Sequence, residues 1–306
     1  MLQVGYVGME SRHLITLQDV NQAALGTGTA LLSSGFTKAQ ASRPYFSQFP
    51  NFGVINTVES NGDANYNALQ VQVKTTSWHG LFTKANFTWG HNLDDMTSNS
   101  GTLPQNSFNL LGNYGNSDND RRLQFNGFLV YDVPAFHHGP DWLTKGWEAS
   151  SVMVLHTGPP LTPKAASDTT GTGENVQYAN YIGGDPYASV PHNVVNAQPV
   201  LWLNPAAFAL PAAGSYGTIG RGMIFGPGFD AVDVSVIKTF AIRERVRAQL
   251  HIDMFNLFNR TNLAGTSSTV GSSGFGKASS TPGGSGAPGI GVGEPFNTQL
   301  ALKILW

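Results

Sequence analysis

The densest chemistry in this chain sits on alternate residues. Arg245, Arg247, Gln249, His251 and Asp253 interleave with Val246, Ala248, Leu250, Ile252 and Met254. A strand sends successive side chains to opposite faces. This spacing therefore lines up two cations, an imidazole and a carboxylate on one side and an apolar stripe on the other. Lys84 and Arg122 are expected on the same side or near strand ends. Such a row can form a ligand path or a docking wall. It can equally be a water-filled interior crossed by internal ion pairs, and that is the preferred reading.

Other candidates for chemistry are weaker. His137-His138 could hold a metal, but no further ligand sits at a diagnostic spacing, so they read as loop histidines beside a turn. Asn92-Leu93-Asp94-Asp95 and Asp118-Asn119-Asp120 offer calcium-type oxygens without the Gly and Glu positions of a recognised loop. Gly284-Ser285-Gly286-Ala287-Pro288-Gly289 fits GxGxxG, yet follows no apolar strand and opens no helix. There is no GxSxG elbow. Asn86-Phe87-Thr88 and Asn259-Arg260-Thr261 are formal glycosylation sequons, read as accidental. No catalytic, cofactor-binding or metal-binding residue is expected, and the chain does not read as an enzyme.

Composition narrows the class. The 306 residues carry a formal net charge of −2, which gives no electrostatic case for nucleic acid. Charged residues make up 12%, against about 25% in a soluble domain. No apolar run approaches the ~20 residues of a spanning helix. The 36 Gly and 17 Pro oppose long helices. Half-apolar strands joined by uncharged loops fit instead. There is no cysteine, which suits passage through an oxidising periplasm. Met1 leads straight into a strand-like Leu2-Gln3-Val4-Gly5-Tyr6-Val7 with no export signal, so the sequence is expected to be truncated or processed.

Eight segments alternate in the manner of strands: Leu2 to Val7, Tyr66 to Thr75, Leu81 to Trp89, Arg121 to Val133, Trp147 to His156, Asp230 to Phe240, Glu244 to Phe258, and Asn297 to Trp306. Most are near the ~10 residues that cross a bilayer when tilted. The last is the most telling. Thr298, Leu300, Leu302, Ile304 and Trp306 share one parity, so the chain ends in a greasy stripe capped by an indole. Trp89, Tyr131, Trp147, Phe240 and Trp306 lie near strand ends, where an amphipathic ring suits the membrane interface. The connections alternate short and long, as in outer-membrane barrels with short periplasmic turns and long outer loops. The loops within residues 90–120, 158–229 and 259–296 should share one rim, and the turns at 76–80 and 241–243 the other. Gly265 to Gly293 is nearly all Gly, Ser, Thr, Pro and Ala and is expected to lack fixed structure. Asp168 to Pro199, richer in Tyr and Asn, has more capacity to order by packing on neighbouring loops.

Read in order, several segments resemble one family. They are Tyr66-Asn67-Ala68-Leu69-Gln70-Val71, Asp120-Arg121-Arg122-Leu123-Gln124-Phe125, Gly146-Trp147, His156-Thr157-Gly158-Pro159-Pro160-Leu161, Leu203-Asn204-Pro205-Ala206-Ala207-Phe208, Gly220-Arg221-Gly222, Gly226-Pro227-Gly228-Phe229, Lys238-Thr239-Phe240 and Phe255-Asn256-Leu257-Phe258-Asn259. This set is similar to the C-terminal barrel of TonB-dependent outer-membrane receptors of the Oar-like type, which carry a carboxypeptidase-regulatory-like domain. The resemblance implies an all-β, antiparallel transmembrane barrel segment of about eight strands, a fragment of a 22-stranded barrel in the cell outer membrane. It implies lipid and the outer-membrane assembly machinery as partners, the latter reading Leu300, Leu302, Ile304 and Trp306. TonB would be reached only through an N-terminal plug that is not visible here. The ligand is open: siderophore, cobalamin, glycan or peptide. A self-contained small barrel acting as porin or adhesin is the alternative, and a soluble sandwich a distant third.

Overall fold

A computed structural model describes all residues except 29, 97–102, 136–138, 175, 190–198, 244 and 283–294. Eight long strands form one sheet: β1 (Leu2–Asp19), β2 (Asn56–Trp78), β3 (Leu81–Asp94), β4 (Leu123–Val133), β5 (Trp147–His156), β6 (Phe229–Arg243), β7 (Val246–Phe255) and β8 (Asn297–Leu305). Each pairs antiparallel with its neighbour in sequence, so the sheet is a meander. Among the described residues β1 and β8 pair on one side only, and the sheet is open.

The two rims differ. Trp78 and Leu81 are joined by His79 and Gly80, both at positive φ. A side chain at Gly80 would come within 2.7 Å of the Asp132 carbonyl, so this turn needs glycine for space and for its left-handed backbone. The β4–β5 connection holds a short helix, Asp141–Thr144. The β6–β7 turn lies at the same end. The four long connections, after β1, β3, β5 and β7, all leave from the opposite rim. The predicted sorting of loops by rim is what the fold displays.

Several predicted boundaries move. β1 runs on to Asp19 and β2 begins at Asn56, so this ribbon reaches far beyond the apolar alternation at Leu2 to Val7 and Tyr66 to Thr75. β3 extends past Trp89 to Asp94. β4 starts at Leu123, which leaves Arg122 just outside it. β7 spans Val246–Phe255, so Arg245 lies in the turn rather than in the strand, and Glu244 lies outside the described residues. The expectation that residues 265–293 lack structure is corrected for its first part. Thr269–Val270 pairs with Lys164–Ala165, Lys277–Ala278 pairs with Val200–Leu201, and Val270, Phe275 and Ala278 are buried. Val270 and Phe275 drop into a core otherwise built by the β5–β6 loop, and Ala278 is buried where it pairs with Val200.

That core lies in the loops, not on the sheet. Tyr178, Ala179, Leu203, Ala207, Phe208, Ile219, Ile224, Val270 and Phe275 form it. The long loops therefore fold into a cap on one rim.

Candidate functional site

The sheet offers two chemically distinct faces, because residues paired in register share a side. One face carries Leu2 and Val4, Val71 and Val73, Ala85 and Phe87, Phe125 and Leu129, Val234 and Val236, Leu250 and Ile252, and Leu300 and Leu302, row after row. Val4, Tyr6, Trp89, Leu300 and Leu302 on this face are exposed. The other face is more polar, though Phe82, Phe128, Val130, Val152, Val154 and Ile237 also lie on it. Gln3, Gln72, Asn86 and Asn126 lie in one row, with Gln72 Nε2 donating to Asn86 Oδ1 at 2.7 Å. Gln70, Thr88, Gln124 and His156 make the next. Lys74 and Lys84 stand directly opposite each other, as do Asp132 and Glu148. Lys84, Arg247, His251 and Asp253 all lie on the polar face. Asp253 accepts from the Ser235 hydroxyl at 2.5 Å.

The aromatics trace a line across the apolar face at the turn end. Tyr131 on β4, Trp147 on β5, Phe240 on β6 and Trp306 after β8 each sit further along their strand, by pairing row, than the one before. From Tyr131 to Trp306 the line advances six rows while crossing four strand spacings. That is about 20 Å along the strands against about 19 Å across them. The slope is therefore about 45°, close to the tilt of strands in a membrane barrel. Rings at one depth in a bilayer must trace such a slant. Trp89 departs from this pattern: it lies toward the loop rim, five residues short of the end of β3.

Lys238 breaks the apolar face near that line. Its Nζ lies 5.0 Å from the Trp147 ring centre and 5.2 Å from that of Phe240, and it donates to the Lys145 carbonyl in the turn. The long stem covers apolar surface while the ammonium reaches the rim over two ring faces.

The cap is locked by buried charge. Arg43 Nη1 donates to Asp19 Oδ2 at 2.8 Å and to the Asn21 carbonyl at 2.7 Å, and Nη2 reaches the Gly173 carbonyl at 3.1 Å. Glu174 lies 3.7 Å from the same guanidinium. Burial, reinforced by the adjacent Asp19 carboxylate, pushes Glu174 up to about 8, with Arg43 opposing. This cluster ties the β1–β2 loop to the β5–β6 loop. Arg221 ties the β5–β6 loop to the end of β3, through Asp94 at 2.5 Å, and lies 3.7 Å from Asp118. Tyr178, raised to about 12 by burial, bonds Asn113 through its hydroxyl.

A family model for the outer membrane beta barrel domain matches residues 1–287. This chain belongs to that family. No curated protein and no solved structure matches it. Membership places this outer-membrane barrel domain in the outer membrane and accounts for a sheet whose apolar face is uncovered among the described residues.

The barrel's chemistry-bearing residues separate by region. Asp94 and Asp120, read as possible calcium oxygens, are held by arginines: Asp94 by Arg221, and Asp120 by Arg122 at 2.8 Å. Arg122 also donates to His91 Nε2 at 2.7 Å, which puts it among the cap contacts rather than in the polar rows. His137, His138 and the GxGxxG stretch lie outside the described residues. Leu300, Leu302 and Ile304 face the apolar side with Ile252, Leu250 and Ala248, and Trp306 is 93% exposed. Sequence reasoning missed Lys238, although an apolar parity interrupted by one lysine beside Trp147 and Phe240 was there to notice. It also missed Asp19, Arg43 and Glu174, whose meeting across 155 residues leaves no local pattern.

Proposed function

We propose that this domain is part of a wide receptor barrel of the TonB-dependent, Oar-like type. It acts as a passive wall with a ligand-capturing cap and no catalytic role. In this reading the apolar face meets lipid and the polar face lines a water-filled lumen that Lys84, Arg247, His251 and Asp253 enter. The observation that carries it is the open sheet. One face parity persists across eight strands, yet among the described residues β1 and β8 remain edges rather than partners. An unpaired edge in a membrane is costly, so further strands should complete the ring. Energy coupling would come through a plug and TonB. The motif order from Tyr66 to Asn259 adds support by resemblance.

The alternative is a small barrel in which β1 and β8 pair, acting as porin or adhesin. Eight strands suffice to close one. Paired cysteines at Val4 with Leu300, Leu302 or Ile304, oxidised in isolated outer membranes of cells making the full-length protein, separate the two. The receptor reading expects no cross-link at any pair and ligand uptake that stops when TonB is deleted. An efficient β1–β8 cross-link would sink it in favour of the small barrel.

A further inference from the structure

A cavity of about 390 Å³ opens where the polar face of the sheet meets the cap. Its floor is Val154 and the pair His156 and Phe229, which stand in register on β5 and β6. The two rings lie nearly parallel, with centres 5.5 Å apart and planes 19° from each other. Turn residues close the rest, among them Pro159, Pro227 and Leu263. The volume falls in the range of about 300–1,000 Å³ typical of small-molecule sites.

The lining is chemically selective. Proline contributes no backbone donor. Among the described residues of the lining, His156 is the one whose side chain carries a polar atom. Its Nδ1 lies 3.0 Å from the Thr157 carbonyl. A carbonyl only accepts, so Nδ1 holds the proton, and in the neutral ring Nε2 is a bare acceptor. The ring makes no other hydrogen bond among the described residues. The shape is fixed by close backbone approach rather than by side chains. A Cβ at Gly228 would come within 2.8 Å of the His156 carbonyl, and one at Gly158 would collide with the Gly226 carbonyl.

We propose that this cavity binds a small planar aromatic molecule bearing one hydrogen-bond donor, such as an indole or a phenol. The ring would extend the His156–Phe229 stack, as offset aromatic packing favours. Its donor would satisfy Nε2. A sugar or an ion would leave its water for a site with one partner, which is unfavourable. This inference does not depend on the receptor reading, since the lining comes from β5, β6 and the loops beside them in a barrel of either width.

The test uses the full-length protein in lipid nanodiscs, with empty nanodiscs as the baseline. Binding of indole and of 1-methylindole, which lacks the donor, is titrated by calorimetry. Indole should bind saturably and roughly five- to tenfold tighter than 1-methylindole, the value of one hydrogen bond. His156→Phe should keep binding of both and erase that difference. Leu263→Trp and Ala264→Leu, each checked for a native heat-modifiable band on gels, should fill the cavity and abolish both. Equal affinity for the two probes in the unmodified protein would overturn the donor assignment. Unsaturable uptake, or binding untouched by both filling variants that pass the gel check, would overturn the site itself. If neither filling variant passes, loss of the indole preference in His156→Phe decides between acceptance and rejection.

Discussion

The wall and the cap of this barrel are held together in opposite ways. The wall is one sheet thick, and its apolar residues face outward: Leu300 and Leu302 are each 69% exposed. Lipid completes it. The cap brings its apolar residues inward, with Leu203 and Ala179 fully buried, and also buries the Arg43–Asp19 ion pair. Water surrounds it, so it needs a core of its own. One chain thus uses two solvents and obeys the burial rule appropriate to each. What looks like a missing core in the sheet is the same physics as a present core in the loops.

The sharpest way to break this comparison acts on the cap alone. Arg43→Ala leaves Asp19 buried without its cation and should destabilise the cap by about 3–5 kcal/mol. Limited proteolysis of intact cells should then cut the outer loops, while the heat-modifiable shift of the barrel on gels persists. Loss of both together would mean that wall and cap fold as one unit.

A second pair of variants acts on the wall alone. Ile252→Arg puts a charge on the apolar face and should cost about 2–4 kcal/mol of wall stability. Gln249→Arg, on the polar face of the same strand, should cost close to nothing. The readout is the denaturant midpoint of refolding into lipid vesicles. A larger loss for Gln249→Arg would invert the assignment of faces.

Titration separates the regions more gently. Glu174 holds its proton more tightly in the folded cap than in the unfolded chain, since its value rises from 4.5 to about 8. The stability it contributes is therefore complete below pH 4.5 and is lost as pH rises through about 8. Protease resistance of the cap should decline across that window, and Glu174→Gln should flatten the decline. A profile unchanged by Glu174→Gln would remove this group from the lock.

The smallest effect on stability is expected at Trp306. Its ring is 93% exposed, and losing it should cost only a few kcal/mol of burial at most. Outer-membrane abundance should fall more than that for deletion and for Trp306→Ala, and hold for Trp306→Phe, because an apolar edge strand with a terminal ring guides insertion. Equal abundance of all three would make the indole an ordinary edge residue.

The sequence was a good guide to the wall and a poor one to the cap. A period of two is local and survives in any window, so β8 was readable from its first residue to within one of its last. The same signal failed toward the cap rim. Glu10, Ser11 and Arg12 on β1, and Glu59, Ser60 and Asn61 on β2, are polar in succession and break the alternation. The cap is assembled from single residues far apart, such as Tyr178, Leu203 and Phe275, set among glycines and threonines. A composition rich in Gly and Ser looks structureless when its few anchors are averaged away. Lys238 hid for the converse reason: it sits on the apolar parity and was passed over as an exception to it.

The shifts in strand register lie toward the rims: between Ser11 and Ile15 on β1, between Thr75 and Trp78 on β2, and between Ala241 and Arg243 on β6. Between them the pairing runs without a break from β1 to β8. An insertion of one residue in that zone would swap inside for outside along the rest of its strand. Descendants of this chain can therefore change length freely in the cap, by pairs in the wall, and almost never by one. Gene lineages that carry it should record their history as drift in loop size over strands of constant length.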